Sequence, residues 1–118
     1  MNLVEQFNDY RSKMNEKILA SGDLVIKRMF SLDSLAYQEG SLDMKTKELL
    51  GLACSLVLRC DDCVKYHLGK CVELKLSKNE LFEAMSVATL VGGTIVIPHL
   101  RKAAEYWEQL NDDVSEGS

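Results

Sequence analysis

The residues most able to do chemistry are two cysteines, Cys60 and Cys63, and a histidine, His67, that follows them. Two thiols three positions apart at the start of a helix can close a disulfide, and a histidine four positions further on lies on the same helical face. A cysteine reacts as its thiolate, which a helix N-terminus, the imidazole and Arg59 favour. The two aspartates between the cysteines oppose the thiolate unless they point towards solvent. The pattern predicts a redox-active dithiol with a proton carrier beside it.

Composition narrows the class of protein. The 118 residues are 47% hydrophobic with a single proline, which is typical of one helical domain over residues 1–118. A formal charge of -4 argues against a nucleic-acid partner. There is neither an apolar run of membrane-spanning length nor a signal-peptide pattern at the start, so we expect no membrane association and a cytoplasmic protein. In a cytoplasmic protein, cysteines indicate redox chemistry or metal binding rather than a structural disulfide framework.

Hydrophobic residues recur at helical spacing along nearly the whole chain. The sequence predicts an all-α fold, a single-domain helical bundle of about six helices. The first expected helix carries Leu3 to Ile18, and the second is capped by Asp23 and ends near Gln38. The third runs from Met44 to about Leu58, and the fourth ends near Leu74. The Ser77–Glu80 capping box begins the fifth, and the last has Pro98 in its first turn. Residues 95–97 fit either an extended or a helical segment, and residues 111–118 form a polar tail.

Glu48 is a candidate partner for His67, but only if the chain turns back. In one straight helix, Glu48 and Cys60 would stand about 18 Å apart, too far for proton transfer. We therefore predict a chain reversal near Arg59–Asp61 that brings Glu48 alongside His67.

Other interpretations of the cysteines remain open. Cys60 and Cys63 could be ordinary core residues or a metal half-site, which together with His67 and Cys71 would resemble a zinc knuckle. On a helix Cys60 and Cys71 would lie about 16 Å apart, too far to share one ion, which disfavours the metal. Cys54 and Cys71 are expected to be small buried residues, and His99 to be structural or at a subunit contact.

The motifs together resemble the carboxymuconolactone decarboxylase family, in its alkylhydroperoxidase D-like branch. The resemblance covers roughly residues 42–93 and includes a glycine pair after a helix. The branch pattern is a glutamate, eleven residues, Cys-x-x-Cys, three residues and a histidine, and the matching residues are Glu48, Cys60, Cys63, His67 and the pair Gly92–Gly93. The branch also has a histidine between the cysteines, where this sequence has Asp62.

This resemblance implies an all-helical fold, assembly as trimers or hexamers, and a dithiol that reduces a small hydroperoxide. It implies re-reduction by a dithiol partner, a lipoyl-protein or a thioredoxin-like protein. We expect no cofactor and no metal. The apolar surface of the predicted helices independently favours a homo-oligomer.

We therefore expect a thiol-dependent hydroperoxide reductase with Cys60 and Cys63 as the redox couple and His67 and Glu48 as the proton relay. By analogy with other dithiols at helix starts, Cys60 is expected to be the more exposed thiol. Two alternatives stay open: a carboxymuconolactone decarboxylase-type lyase indifferent to the cysteines, and a non-catalytic redox-sensing oligomer.

Overall fold

The computed structural model describes the backbone of residues 1–117 and the side chains of residues 1–112. Within this range the protein is all-α, without a strand, which confirms the predicted fold class. The helices are α1 (Leu3–Ala20), α2 (Leu24–Ala36), α3 (Met44–Val57), α4 (Asp61–Glu73), α5 (Lys78–Gly92) and α6 (Ile97–Gly117), with a short 3-10 helix over Thr94–Val96. No helix in the described part is both long and apolar enough to cross a membrane.

Two helix starts follow the predicted capping chemistry. The Asp23 side chain accepts a hydrogen bond from the Ile26 backbone N–H at 3.0 Å. Ser77 and Glu80 form the reciprocal capping box, with distances of 3.2 Å and 3.0 Å between their side chains and each other's backbone nitrogens. These bonds satisfy N–H groups that a helix leaves without an internal partner, and the hydrogen bond from the Ser77 backbone lowers the pKa of Glu80.

The segment between α5 and α6 resolves an ambiguity in the sequence. Gly93 ends α5 with φ 84° and ψ -174°, a conformation that only glycine adopts readily. The chain then forms the 3-10 helix and enters α6, with Pro98 in its first turn as predicted. α6 continues to Gly117, through most of the segment that the sequence assigned to a polar tail, because no proline or glycine interrupts it after Pro98.

The chain forms two compact units, residues 1–44 and 45–118, and the prediction of one domain over residues 1–118 stays a prediction. In the first unit α1 packs against α2, and α2 has no buried residue. The second unit has a well-formed core. Its buried apolar residues are Leu52, Leu56, Val64, Leu68, Cys71, Leu76, Leu81, Met85, Ala88, Val96, Ala103, Tyr106 and Leu110.

The packing of α4 against α6 matters most for the site. Leu68 of α4 and Tyr106 of α6 are almost completely buried. The Lys65 ammonium lies 5.9 Å from the centre of the Tyr106 ring, in cation–π range. Each fully buried large apolar side chain contributes about 1.5–3 kcal/mol to stability, so α4 is fixed firmly on α6.

Candidate active site

A tight reversal joins α3 to α4. Arg59 adopts the left-handed conformation with φ 60°. Its backbone N–H donates to the Leu56 carbonyl, and the Cys60 N–H donates to the Ser55 carbonyl, both at 3.0 Å. This pair of bonds is a Schellman motif, which closes the end of a helix. The predicted chain reversal is confirmed, although the left-handed position is occupied by arginine rather than the more usual glycine.

The same residue that completes this motif also begins α4. Cys60 is the N-cap of α4, and its Sγ accepts the Cys63 backbone N–H at 3.3 Å. Cys60 and Cys63 are joined by a disulfide, with their Cα atoms 5.3 Å apart. The sulfur of Cys60 therefore lies where the helix presents its partial positive charge, a position that stabilises a thiolate.

The relative exposure of the two cysteines differs from expectation. Cys63 is exposed and Cys60 is half-buried, so the prediction that Cys60 is the more exposed thiol was wrong. The reason is the double role of Cys60, whose backbone is held by α3 and whose side chain is turned under the first turn of α4. Cys63 lies on the helix itself and is the more exposed residue of the two.

Glu48 and His67 meet inside the second unit. The distance from His67 Nδ1 to Glu48 Oε2 is 2.8 Å, and both residues are buried, with 7% and 5% of their surface exposed. With Glu48 as a carboxylate, which only accepts hydrogen bonds, His67 is the donor through Nδ1. The predicted approach of Glu48 to His67 is observed, and His67 follows Cys63 by one helical turn on α4.

A second polar cluster at the start of α4 was not predicted. The Asp61 carboxylate accepts a hydrogen bond from His99 Nδ1 at 2.8 Å through Oδ1 and one from Lys102 Nζ at 3.2 Å through Oδ2. Partial burial raises the pKa of Asp61, but the two hydrogen bonds and the positive charges of α6 outweigh it, and the net pKa is lowered. The cluster was missed because 38 residues separate His99 from Asp61, and no local spacing links them.

The remaining two cysteines behave differently from each other. Cys54 is exposed, so the expectation that it is buried was wrong. It lies on an outward face of α3, where the nearly continuous apolar run hides which side faces the core. Cys71 is fully buried as expected, and burial together with the nearby Glu48 carboxylate raises the pKa of its thiol to about 12. Cys71 is therefore a poor nucleophile.

An open groove lies away from these residues. It holds about 480 Å³, and its lining includes the aromatic Trp107 and two lysines, but none of the predicted site residues. The lining residues are Val72, Lys75, Leu76, Ser77, Lys78, Trp107 and Asn111.

Similarity to known proteins identifies the family of this chain. The family model described as carboxymuconolactone decarboxylase matches residues 24–106, well over half of the chain. The chain belongs to the carboxymuconolactone decarboxylase family. An uncharacterized protein from Cupriavidus necator is 32% identical over 76 residues, 64% of this chain and 67% of that protein.

Solved structures of carboxymuconolactone decarboxylase family proteins share the fold. A Thermotoga maritima protein is similar with a TM-score of 0.92 and 51% identity, covering 95% of this chain and 98% of that one. A second crystal structure from the same organism is that of a carboxymuconolactone decarboxylase family protein with a suggested role in an antioxidative response. A Legionella pneumophila family protein, 25% identical, has a TM-score of 0.83 over 91% of this chain and 96% of that one.

Proposed function

We propose that this carboxymuconolactone decarboxylase family protein is a thiol-dependent hydroperoxide reductase. The observation that carries the proposal is the Cys60–Cys63 disulfide at the N-terminus of α4, one turn before a histidine bound to a buried carboxylate. The antioxidative role suggested for the similar Thermotoga maritima protein agrees with this chemistry.

In the oxidative half of the proposed cycle, Cys60 attacks the hydroperoxide. Its thiol first gives a proton to His67, and the thiolate then attacks the terminal peroxide oxygen, which breaks the O–O bond. The products are a Cys60 sulfenic acid and an alkoxide, which takes the proton back from His67 and leaves as an alcohol. The Cys63 thiol then condenses with the sulfenic acid, forming the disulfide and releasing water. Cys60 is favoured as the attacking thiol because its sulfur receives the helix N–H.

In the reductive half, an external dithiol restores the enzyme. Cys63 is the more exposed residue of the pair, so one thiolate of the reductant attacks its sulfur and Cys60 leaves as a thiolate. The second thiol of the reductant resolves the mixed disulfide, and the reductant departs as its own disulfide. The N-terminus of α4 helps this step as well, because a stabilised thiolate is a better leaving group.

The Glu48–His67 pair serves as the proton relay in this proposal. The hydrogen bond at 2.8 Å orients the ring, and the carboxylate stabilises the imidazolium while it holds the proton. Glu48 is buried and holds His67 at Nδ1, so its role is to position and stabilise the ring.

The test is multiple-turnover reduction of cumene hydroperoxide. Dihydrolipoamide supplies the electrons, lipoamide dehydrogenase regenerates it, and NADH oxidation is followed by absorbance; a parallel assay uses thioredoxin with its reductase. We expect turnover in the unmodified protein and its loss in both Cys60→Ser and Cys63→Ser. Cys54→Ser is the matched control, an exposed cysteine outside the motif, and it should keep full turnover.

Single-turnover labelling tests the order of attack. With a sulfenic-acid probe, Cys63→Ser should trap the oxidised Cys60, and Cys60→Ser should give no label. Full peroxide turnover in both cysteine variants would sink the proposal. Decarboxylation of a lactone acid that both cysteine substitutions leave unchanged, without peroxide turnover, would favour the lyase. Disulfide formation without turnover by either reductant would favour the redox-sensing oligomer instead.

We also propose that the protein is a homo-oligomer whose contacts use apolar side chains that one chain leaves exposed. Large apolar residues are exposed on α2, on α3 and around the end of α5, and exposed apolar surface of this kind can mark a contact between chains. They are Leu24, Val25, Met29, Leu32 and Leu35 in the first unit and Leu50, Val87, Leu90, Val91 and Ile95 in the second. Sedimentation at micromolar concentration should give a trimer or hexamer, and a mass of 13.3 kDa would reject the oligomer.

A further inference from the structure

The cluster of Asp61, His99 and Lys102 lies directly beside the redox couple. Asp61 is the residue after Cys60 and the first residue of α4. Both oxygens of its carboxylate are held from α6, one by His99 Nδ1 at 2.8 Å and the other by Lys102 Nζ at 3.2 Å. An aspartate at this position can also turn towards the N-terminus of its own helix, where it would face the sulfur of Cys60.

The negative charge of Asp61 affects the stability of the nearby Cys60 thiolate. A carboxylate next to a thiolate destabilises the thiolate, while a carboxylate neutralised by cations does so much less. The Asp61 side chain is 29% exposed, so water screens its charge only in part. The neighbouring Asp62 is exposed, so its charge is screened more strongly.

We propose that His99 and Lys102 are positioning residues for the dithiol, which hold the Asp61 carboxylate against α6 and so keep its charge from opposing the Cys60 thiolate. This proposal rests on the dithiol cycle described above and adds to it a tuning element on a different helix. His99 and Lys102 act only through Asp61.

The test measures the thiolate of Cys60 directly. The rate of alkylation by iodoacetamide is followed against pH in the reduced full-length protein, with Cys54→Ser and Cys63→Ser in every sample so that Cys60 is the reactive thiol. Cys71 is buried and does not compete. The midpoint of the profile is the apparent pKa of Cys60, which a purely structural role of the cluster would not move.

Four proteins form the core of the experiment: the reference protein, the pair His99→Ala/Lys102→Met, Asp61→Asn, and the combination of all three substitutions. Removing His99 and Lys102 should raise the apparent pKa by about 0.5–1 unit, equivalent to roughly a threefold to tenfold loss of thiolate below the midpoint. In the Asp61→Asn background the same pair of substitutions should have less than a third of that effect. A direct effect of the Lys102 charge on Cys60 would persist in that background, whereas an effect through Asp61 would not.

Asp62→Asn is the matched control. It removes the same charge one residue further on, and in its background the loss of His99 and Lys102 should keep its full effect. Arg59 and Lys65, the other charged residues near the first turn of α4, are unchanged throughout.

Equal shifts in the Asp61 and Asp61→Asn backgrounds, or no shift in either, overturn the proposal. Circular dichroism checks the fold of each variant. If the pair of substitutions loses helix, Lys102→Met alone carries the test, because that side chain is 61% exposed and its replacement leaves the core intact. Alkylation needs no peroxide, so a failure here is distinct from a failure of the proposed peroxidase activity.

Discussion

Replacing Glu48 with leucine separates what the buried pair does for stability from what it does for chemistry. Glu48→Leu fills a similar volume but leaves the His67 Nδ1–H without its acceptor. We expect a large loss of stability, and we expect the double variant Glu48→Leu/His67→Leu to recover most of it. Peroxide turnover, in contrast, should be low in both variants.

The magnitude follows from burial. Only 5% of Glu48 and 7% of His67 are exposed, so water cannot replace the lost partner. Leaving a buried polar group unsatisfied costs about 1–3 kcal/mol, and leaving a buried charge unpaired costs about 3–5 kcal/mol. A loss of about 3 kcal/mol, with a urea slope of about 1.5 kcal/mol/M, lowers the urea midpoint by about 2 M. Replacing both partners by apolar groups is commonly neutral or stabilising.

Urea unfolding followed by circular dichroism checks this, at one fixed protein concentration because an oligomer's stability depends on it. The unmodified protein and the two single and one double variants complete the cycle. A double variant as unstable as Glu48→Leu would refute the reasoning, since the cost would then not come from an unpaired buried group.

Three further perturbations have distinct expected outcomes. Gly92→Ala should cost about 1–3 kcal/mol in urea unfolding, because its new Cβ would collide with the buried Val96 side chain, whereas Gly69→Ala, with open space around its Cβ, should be neutral or slightly stabilising. The lowered pKa of Asp61 means that the unfolded chain binds its proton more readily, so stability should fall as the pH drops below about 4, and Asp61→Asn should flatten that part of the profile of melting temperature against pH. Cys71, whose pKa is raised to about 12, has the opposite effect on the pH dependence of stability, which should fall as the pH rises above about 9. Cys71→Ala should lack that alkaline decrease, even though the cavity it creates lowers stability at every pH.

Local patterns predicted the fold well because local chemistry determines helix starts and stops. Asp23 and Ser77 cap the helices that the sequence assigned to them. The end of α6 was misjudged because polarity was taken as a sign of a tail, although helix formation depends on the absence of breakers. The exposure of Cys54 was misjudged because an apolar run gives no periodicity from which to choose the buried face.

The candidate site likewise has some contacts that were predictable from the sequence and others that were not. The contact between Glu48 and His67 was predictable because a reversal between two adjacent helices brings these residues together within one chain. The contacts of Asp61 with His99 and Lys102 depend on how α4 packs against α6, which spacing along the chain does not encode. The prediction about the exposed sulfur failed because it treated the dithiol as a feature of α4 alone. Cytoplasmic location, the identity of the reductant and the absence of a nucleic-acid partner stay predictions.

The double anchoring of Cys60 defines what would have to be moved to transplant this chemistry into another protein. A Cys-x-x-Cys motif grafted onto an unrelated helix would reproduce the sulfur spacing but not the amide that holds the Cys60 backbone to the Ser55 carbonyl. The smallest portable module is therefore residues 55–63, the last helical turn before the reversal together with the first turn after it. A designer who copied only the four residues of the Cys-x-x-Cys motif would obtain a dithiol whose first cysteine lacks this backbone anchor.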